Sequence, residues 1–510
     1  MNGSSKVLIR LNARDNVAVA RVEIVEEQML EELGIKARQL IPRGHKIALT
    51  DVRAGEVVVK YGQIIGVASS PIQAGDHVHL HNLAMHEARL DVETTSVDLS
   101  DAPLSESQRK TFLGYLRADG RAGTRNYIAI ISSVNCSATV SRNIAEHFNR
   151  QGGLQGRSHI DGVVPLTHGG GCALNTKSEG YRVLTRTMQG YARNPNVCGV
   201  LMIGLGCETN QIPQIVETYG LTEGTAFRTL TIQQAGGTRK AIAAGCDAIQ
   251  GMLEDVDHCR RTVQPLSHVR VGLQCGGSDG YSGISANPAL GYASDLLVKH
   301  GATAVLSETP EIYGAEHLLA SRAASPAVAE KLFARIEWWR KYTAQNGDEM
   351  NNNPSHGNKA GGLTTILEKS LGAVAKGGTT SLNAVYEYAE PIEANGLVFM
   401  DTPGYDPVSV TGQVAGGCNI ICFTTGRGSV SGFKPAPCIK VATNSEMFRH
   451  MQEDMDIDCG KIVSGEQTVE ESGTEIFERI VAVASGEKTK SELYDYGDNE
   501  FVPWQLGAVT

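Results

Sequence analysis

Eight apolar runs decide what this chain can fold into. Between Phe112 and the C-terminal region, YIAIISSV, GVVPLT, GVLMIGLG, HVRVGLQ, TAVLSE, NGLVFMDT, NIICFTTG and CIKVAT each end in a glycine-rich or polar loop. Helical stretches such as SRNIAEHFNR and AVAEKLFARIEWWRKYTAQ stand between them. Runs that are apolar on both faces have to be covered on both sides, and strands alternating with helices give parallel sheets. In such sheets ligands bind beyond the carboxyl ends of the strands. The residues just after each run are therefore where function is sought.

The region before Phe112 reads differently. KVLIRLN, NVAVARVEI, HKIALTDV, GEVVVKYGQIIGVA and DHVHLHN are short strands punctuated by PRG, RAG and QAG, which predicts a small all-β module. ETTSVDLSDAPLSESQ is polar and without periodicity, as a linker is. The 510 residues exceed one ordinary domain. The expected layout is an all-β module over 1–92, a linker over 93–110, a middle α/β domain over 111–265 and a C-terminal α/β domain over 266–510.

A net charge of -10 argues against binding a phosphate backbone, so no nucleic-acid partner is expected. Residues 1–30 show no basic stretch leading into an apolar one, and no run approaches the roughly 18 apolar residues of a membrane span. A cytoplasmic protein with a small-molecule partner is the expectation. The eleven cysteines are odd in number and lack the short even spacing of a disulfide framework, which fits reduced thiols.

The strand ends carry the chemistry. They read Asn135-Cys136, His168 to Cys172, Gly206-Cys207-Glu208, Cys275 to Asp279, Glu308 to Glu311, Thr402 to Asp406 and Gly426-Arg427-Gly428. Cys136, Cys172, Cys207 and Cys275 stand in equivalent places, but without CxxC pairs they hold a metal only if they converge in space. GLQCGGSDGYSG leaves Cys275 open as nucleophile, metal ligand or small turn residue, and matches neither GxGxxG nor GxxxxGK[ST]. Its Gly276, Gly277 and Ser278 would bring backbone amides to an anion, and Asp279 and Glu308 would offer carboxylates to a divalent ion. Asn358, Lys359 and Arg427 lie in glycine-flanked loops where a cation reaches a substrate carboxylate. His168 is placed to serve as an acid or base. In the N-terminal module His77, His79 and His81 share one strand face, and Gly44-His45-Lys46 offers an acid/base beside a cation.

Taken together, DNVAVA, RGHKIALTD, KYGQIIG, IGLGCE, CGGSDGYSGISANP, PEIYGAEHLL, NPSHGNKAGGLTT, KSLG and TTGRG resemble the altronate and galactarate dehydratase family, closer to its altronate branch. The resemblance runs from about Asp15 onward. It implies a SAF-type β-clip module, a middle domain that forms a homodimer, and a Rossmann-like C-terminal domain. It also implies a divalent metal, typically Fe2+, with Mn2+ or Mg2+ as alternatives. The metal is either a single ion or an iron-sulfur cluster on Cys136, Cys172 and Cys207. The implied reaction removes the proton α to a sugar-acid carboxylate, expels the β-hydroxyl and yields a 2-keto-3-deoxy acid. Lys359 and Arg427 would clamp the carboxylate. His45 and Lys46, on a module free to swing, would close over the site as a lid. The chain departs from the family pattern at Gly170-Gly171-Cys172, in GRGSVSG and at His356, which implies a wider or differently polar pocket. Galactarate or another sugar acid, sulfite elimination from a sulfonated hydroxy acid, and a non-catalytic binding protein are the alternatives.

Overall fold

The computed structural model describes residues 7–86, 103–221, 224 and 226–507. The N-terminal module is all β, with sheets built from Leu8–Ile9, Val17–Ala20, Lys46–Ala48 and His77–Val78, and from Val57–Lys60, Gln63–Ala68 and Leu83–Ala84. GEVVVKYGQIIGVA is a hairpin rather than one strand. Tyr61 and Gly62 both take positive φ at its tip, the geometry that matches the twist of the flanking strands. The Tyr61 ring reaches out of this turn to Gly283 and Gly372 of the C-terminal domain, where a side chain on Gly283 would collide with it.

The middle domain is a parallel sheet of β1 (Tyr127–Ser132), β2 (Gly162–Leu166), β3 (Val197–Gly204) and β4 (Phe227–Thr231), in the order β2-β1-β3-β4. The C-terminal domain is a seven-stranded parallel sheet of β5 (Arg270–Cys275), β6 (Thr303–Leu306), β7 (Leu382–Tyr386), β8 (Gly396–Met400), β9 (Ile420–Thr425), β10 (Cys438–Ala442) and β11 (Ile457–Asp458). Its order is β7-β8-β6-β5-β9-β10-β11. The central strands β5, β8, β9 and β10 are buried almost throughout, as the apolar runs require. Strand order reverses between β5 and β9, so their carboxyl ends open onto the crevice where α/β sheets place ligands.

Thr111–Leu116 and Thr262–Pro265, at the two ends of the middle domain, pair antiparallel with each other. Of the expected linker, residues 93–102 lie outside the described residues. Residues 103–110 are not a free tether. Leu104 N donates to Lys299 O, and Lys110 pairs with Glu478 of the C-terminal domain.

The N-terminal module is docked rather than free to swing as a lid. Lys46 and Lys60 both pair with Glu368 at 2.8 and 2.9 Å, and all three side chains are buried. Lys46 also donates to Gly362 O, and the backbone N of Gly280 donates to Gly361 O beside the turn at Gly44.

Candidate active site

At the end of β5 the Cys275 thiol meets two glutamates from the loop that follows β6. Its Sγ lies 3.6 Å from Glu308 Oε2 and 3.3 Å from Glu311 Oε2, and one ligand atom from each of the three comes within 4.8 Å of the others. Glu308 is held in the left-handed region, with φ 70°, while its N–H donates to Thr402 Oγ1. A non-glycine residue kept there is a strain the surrounding structure must sustain. Two lysines from one side of the chain face these acids. Lys376 Nζ is 2.7 Å from Cys275 Sγ and 3.0 Å from Glu308 Oε2, and Lys369 Nζ is 2.7 Å from Glu311 Oε1. Asn353 bridges Glu311 and Lys369. Asp406, heading the helix Asp406–Ala415, presses its carboxylate against Gly276, where a β-carbon would collide with it.

Burial sets the protonation states. It pushes Glu308 up to about 8, with Lys376 opposing and Glu311 and Asp406 adding to the rise. Burial, with Glu311 next to it, pushes Asp406 up to about 7. At Glu311 burial is outweighed by Lys369 and Lys376, so this carboxyl lies below its usual value. Burial and then Glu308 drive the Cys275 thiol upward. Neighbouring acids whose pKa values are driven apart in this way make an acid and a base available together near neutral pH.

The donor set suits a divalent transition metal. One thiol and two carboxylates form a borderline set that matches Fe2+ better than Mg2+, and their negative charge exceeds what Lys369 and Lys376 supply once all three ionise. Lys376 Nζ stands among the same donors, so metal uptake has to displace it.

Above this group lies the expected anion loop. Gly277 O accepts from the N–H groups of Gly426 and Arg427, which ties the loop to the end of β9. The N–H groups of Gly277 and Ser278 donate to no protein acceptor among the described residues. The Lys359 ammonium and the exposed Arg427 guanidinium carry no partner there either, unlike the paired Lys46, Lys60, Lys369 and Lys376. Beside them a cleft of about 340 Å³ is lined by Arg43, Asp279, Tyr281, Arg427, Asn444 and His450, among others.

Several expected site residues do other work. The Asp279 carboxylate accepts from Thr443 Oγ1, Ser282 Oγ, Tyr281 N and Asn444 Nδ2, and so fastens its own loop to the segment after β10. Asn358 Nδ2 donates to Ser278 O and its Oδ1 accepts from Ser355, so its amide builds the loop. His45 uses both ring nitrogens, on His77 and Ala360 O, and burial lowers it to about 4. Lys46 is spent on Glu368 and Gly362. His168 lies in the middle domain, with Nε2 donating to Ser132 O and Nδ1 accepting from Gly170 N, and burial holds it near 4. The polar side-chain atoms of His45, Lys46 and His168 are thus engaged away from the Cys275 group. Cys136, Cys172 and Cys207 follow β1, β2 and β3, on a different sheet from Cys275, so the four cysteines do not form one rim.

Lys369, Lys376 and Asp406 were not among the expected site residues, whereas Glu311 follows its strand as closely as Glu308 and offers the same carboxylate to a divalent ion or a proton. Glu311 and Asp406 stand in strand-end segments that the sequence does mark. For the lysines the available signal is spacing: in KSLGAVAK two lysines seven residues apart, in an otherwise apolar stretch, fall on one helical face.

Strand-end acids, a thiol and lysines enclosed at the switch point of a parallel sheet define an enzyme, and comparison with known proteins places it among the carbon–oxygen lyases. Family models for the altronate/galactarate dehydratase SAF domain, the D-galactarate dehydratase/altronate hydrolase second domain and the D-galactarate/altronate dehydratase C-terminal domain match residues 6–86, 114–257 and 266–509. The chain is 36% identical to altronate dehydratase of Escherichia coli (strain K12), over 96% of this chain and 97% of that protein. It is 36% identical to galactarate dehydratase (L-threo-forming) of the same organism, over 94% and 93%. It is 32% identical to (2R)-sulfolactate sulfo-lyase subunit beta of Chromohalobacter salexigens, over 79% of this chain and 99% of that subunit. The chain belongs to the altronate/galactarate dehydratase family.

Proposed function

We propose that the protein dehydrates a hexonate or related sugar acid of the altronate type to a 2-keto-3-deoxy acid at the β5/β9 crevice. The observation that carries this reading is the enclosure of Cys275, Glu308 and Glu311 with Lys369 and Lys376 at the start of a loop next to the unpaired Arg427 and Lys359 cations. Among the described residues the Gly277 and Ser278 amides of that loop are free, and its carbonyls bond to Arg427 N and Asn358. Cys275, Glu308 and Glu311 would hold Fe2+, which supplies Lewis acidity to a carboxylate and to the enediolate derived from it.

The chain's own groups account for the rest. Lys359 and Arg427, with the Gly277 and Ser278 amides, bind and orient the substrate carboxylate. Asp406, with a pKa near 7, takes the α-proton as the C–H bond breaks. The Lys376 ammonium, once displaced by the metal from Cys275 and Glu308, would face the growing negative charge and give a proton to the β-hydroxyl, so that the C–O bond breaks with loss of water. Proton return from Asp406 to Lys376 restores both groups, and the enol tautomerises to the ketone. The docked N-terminal module excludes water by walling the crevice, and His45, His79 and Lys46 hold the carbonyls of residues 359–362 that carry Lys359.

Three further readings belong to the proposal. Without its edge strand β7, the C-terminal sheet order is third-second-first-fourth-fifth-sixth, which supports a Rossmann-like description. A homodimer through the middle region is supported by the exposed Leu113, Leu116 and Val263 on the small antiparallel sheet. A cytoplasmic location is supported by the metabolic character of the relatives. Incubating the iron-loaded protein anaerobically with aldonates and aldarates, and measuring 2-keto-3-deoxy acid, tests the reaction. Sulfite released from a sulfonated hydroxy acid, with no dehydration of sugar acids, would instead align the chain with the sulfo-lyase.

A further inference from the structure

A second cavity, larger than the cleft beside Arg427, opens at the opposite end of the sheets from the crevice. Its volume is about 570 Å³, against about 340 Å³ for that cleft. Small-molecule sites span roughly 300–1,000 Å³. The walls come from both α/β domains, at the amino ends of their strands. Arg121 and Arg193 precede β1 and β3 of the middle domain, Arg270 opens β5, and Glu393 precedes β8. The helices Glu179–Ala192 and Asp406–Ala415 end there, packed so closely that a β-carbon on Gly190 would collide with Ala415 O.

Four arginines, Arg121, Arg186, Arg193 and Arg270, line this space against two carboxylates, Asp119 and Glu393. Arg121 pairs with Asp119 at 2.6 Å and donates to Arg193 O, and Arg186 reaches Glu387 at 3.4 Å. Arg270 stands apart. Its backbone N–H donates to Asn419 Oδ1, but among the described residues its guanidinium bonds to no acceptor and pairs with no acid, although the residue is half-buried. It lies over Gly417, where a β-carbon would come within 2.9 Å of Nη1. Burial, with the Arg121 charge adding to it, lowers the Arg270 pKa. A charge drawn out of water without a partner costs free energy. An arginine that only tied the domains together would be bonded as Arg125 is, to Thr124 O, Val483 O, Glu487 O and Glu492. Nor is Arg270 needed to cap the helix Asp406–Ala415: Asn194 Nδ2 serves Val414 O and Cys418 O, and Ile392 N serves Gly416 O.

From this arrangement we infer that the cavity is a second small-molecule site, which takes a small organic anion and seats its phosphate or carboxylate on Arg270. A guanidinium holds either group through two parallel bonds, and the neighbouring arginines raise the positive potential at the same mouth. The exposed Glu393 disfavours a second anionic group and would accept from hydroxyls, so the ligand is one oxyanion on a polar body. The helix Asp406–Ala415 spans roughly 15 Å between the proposed base and this cavity. An occupant therefore bears on the element that carries Asp406 without blocking the crevice.

The test is calorimetric titration of the full-length protein with glucose 6-phosphate and with gluconate, two six-carbon polyols that carry one phosphate or one carboxylate. A Lys359→Ala/Arg427→Ala background keeps the crevice out of the readout. One molecule of at least one probe should bind per chain; the tighter of the two identifies the oxyanion as phosphate or carboxylate. Adding Arg270→Gln should weaken that binding by about 10- to 100-fold, the loss of a charge-assisted hydrogen bond. Without ligand, the Arg270→Gln protein should melt with its parent or above it, since an unpaired charge has been removed. Failure of both probes to bind, binding unchanged by Arg270→Gln, or a ligand-free Arg270→Gln protein that melts lower, as loss of a structural arginine would make it, would each overturn the inference. Because binding is read without turnover, failure of the dehydration reading would leave this result untouched.

Discussion

Replacing Glu368 by glutamine should undo the docking of the N-terminal module, whereas replacing Lys46 by methionine should not. The two substitutions remove opposite ends of the same contact, but the group has two positive charges and one negative. All three side chains are between 0% and 2% exposed. Glu368→Gln leaves two ammonium ions enclosed with no counter-charge, and breaking a buried pair in this way costs about 3–5 kcal/mol. Lys46→Met leaves Lys60 and Glu368 as a neutral pair that keeps the Thr364 donors, and loses one bond to Gly362 O. That change costs about 1 kcal/mol. A unit of 150–250 residues shifts by about 2–4 °C per kcal/mol, so the first unfolding transition should fall on the order of 10 °C in Glu368→Gln and a few degrees in Lys46→Met. Because several domains are present, that first transition is the quantity compared, by calorimetry and circular dichroism. A Glu368→Gln protein that melts with the wild type, or a Lys46→Met protein that is the less stable of the two, would refute the charge argument.

Other outcomes follow from the same geometry. Lys359→Ala and Arg427→Ala should each raise KM by about 10- to 100-fold, the loss of one charge-assisted hydrogen bond, with a smaller effect on kcat; unchanged kinetics would remove these cations from the carboxylate. The imidazole cluster should make module docking sensitive to acid. Burial, with neighbouring histidines and Lys46, lowers His45 to about 4 and His77 to about 3, so between roughly pH 6.5 and 4 the unfolded chain holds more protons and stability falls with pH. His77→Gln should flatten that decline in the melting temperature, despite Glu368 nearby. Cys275→Ala and Glu311→Gln should lower the ferrous iron bound at the C-terminal site, measured by equilibrium dialysis without sulfide.

The central parallel strands were legible because strands covered on both faces must be apolar throughout. Phe227–Thr231 and Leu382–Tyr386 were not, since each lies at a sheet edge, keeps one side partly exposed and alternates polar with apolar residues. Ile457–Asp458 is too short to leave a pattern. Cys275, Glu308, Lys359 and Arg427 were legible as strand-end or glycine-flanked residues. Lys369 and Lys376 were not, because a lysine ordinarily reads as a solvated charge and only the fold shows the acids that hold it. His45 and Lys46 drew attention for the right reason and toward the wrong role: their partners, Ala360, Gly362 and Glu368, lie some three hundred residues away in sequence. The four strand-end cysteines look equivalent in sequence, and only the division into two sheets separates Cys275 from the rest.

The most direct test of the account is 2-keto-3-deoxy acid formation from a panel of aldonates and aldarates by anaerobic, iron-loaded enzyme, wild type against Lys376→Met and Asp406→Asn. The account predicts dehydration by the wild type, with turnover lost in both variants while substrate still binds in calorimetric titration. Dehydration at the wild-type rate by either variant would place the chemistry outside the β5/β9 crevice and contradict it.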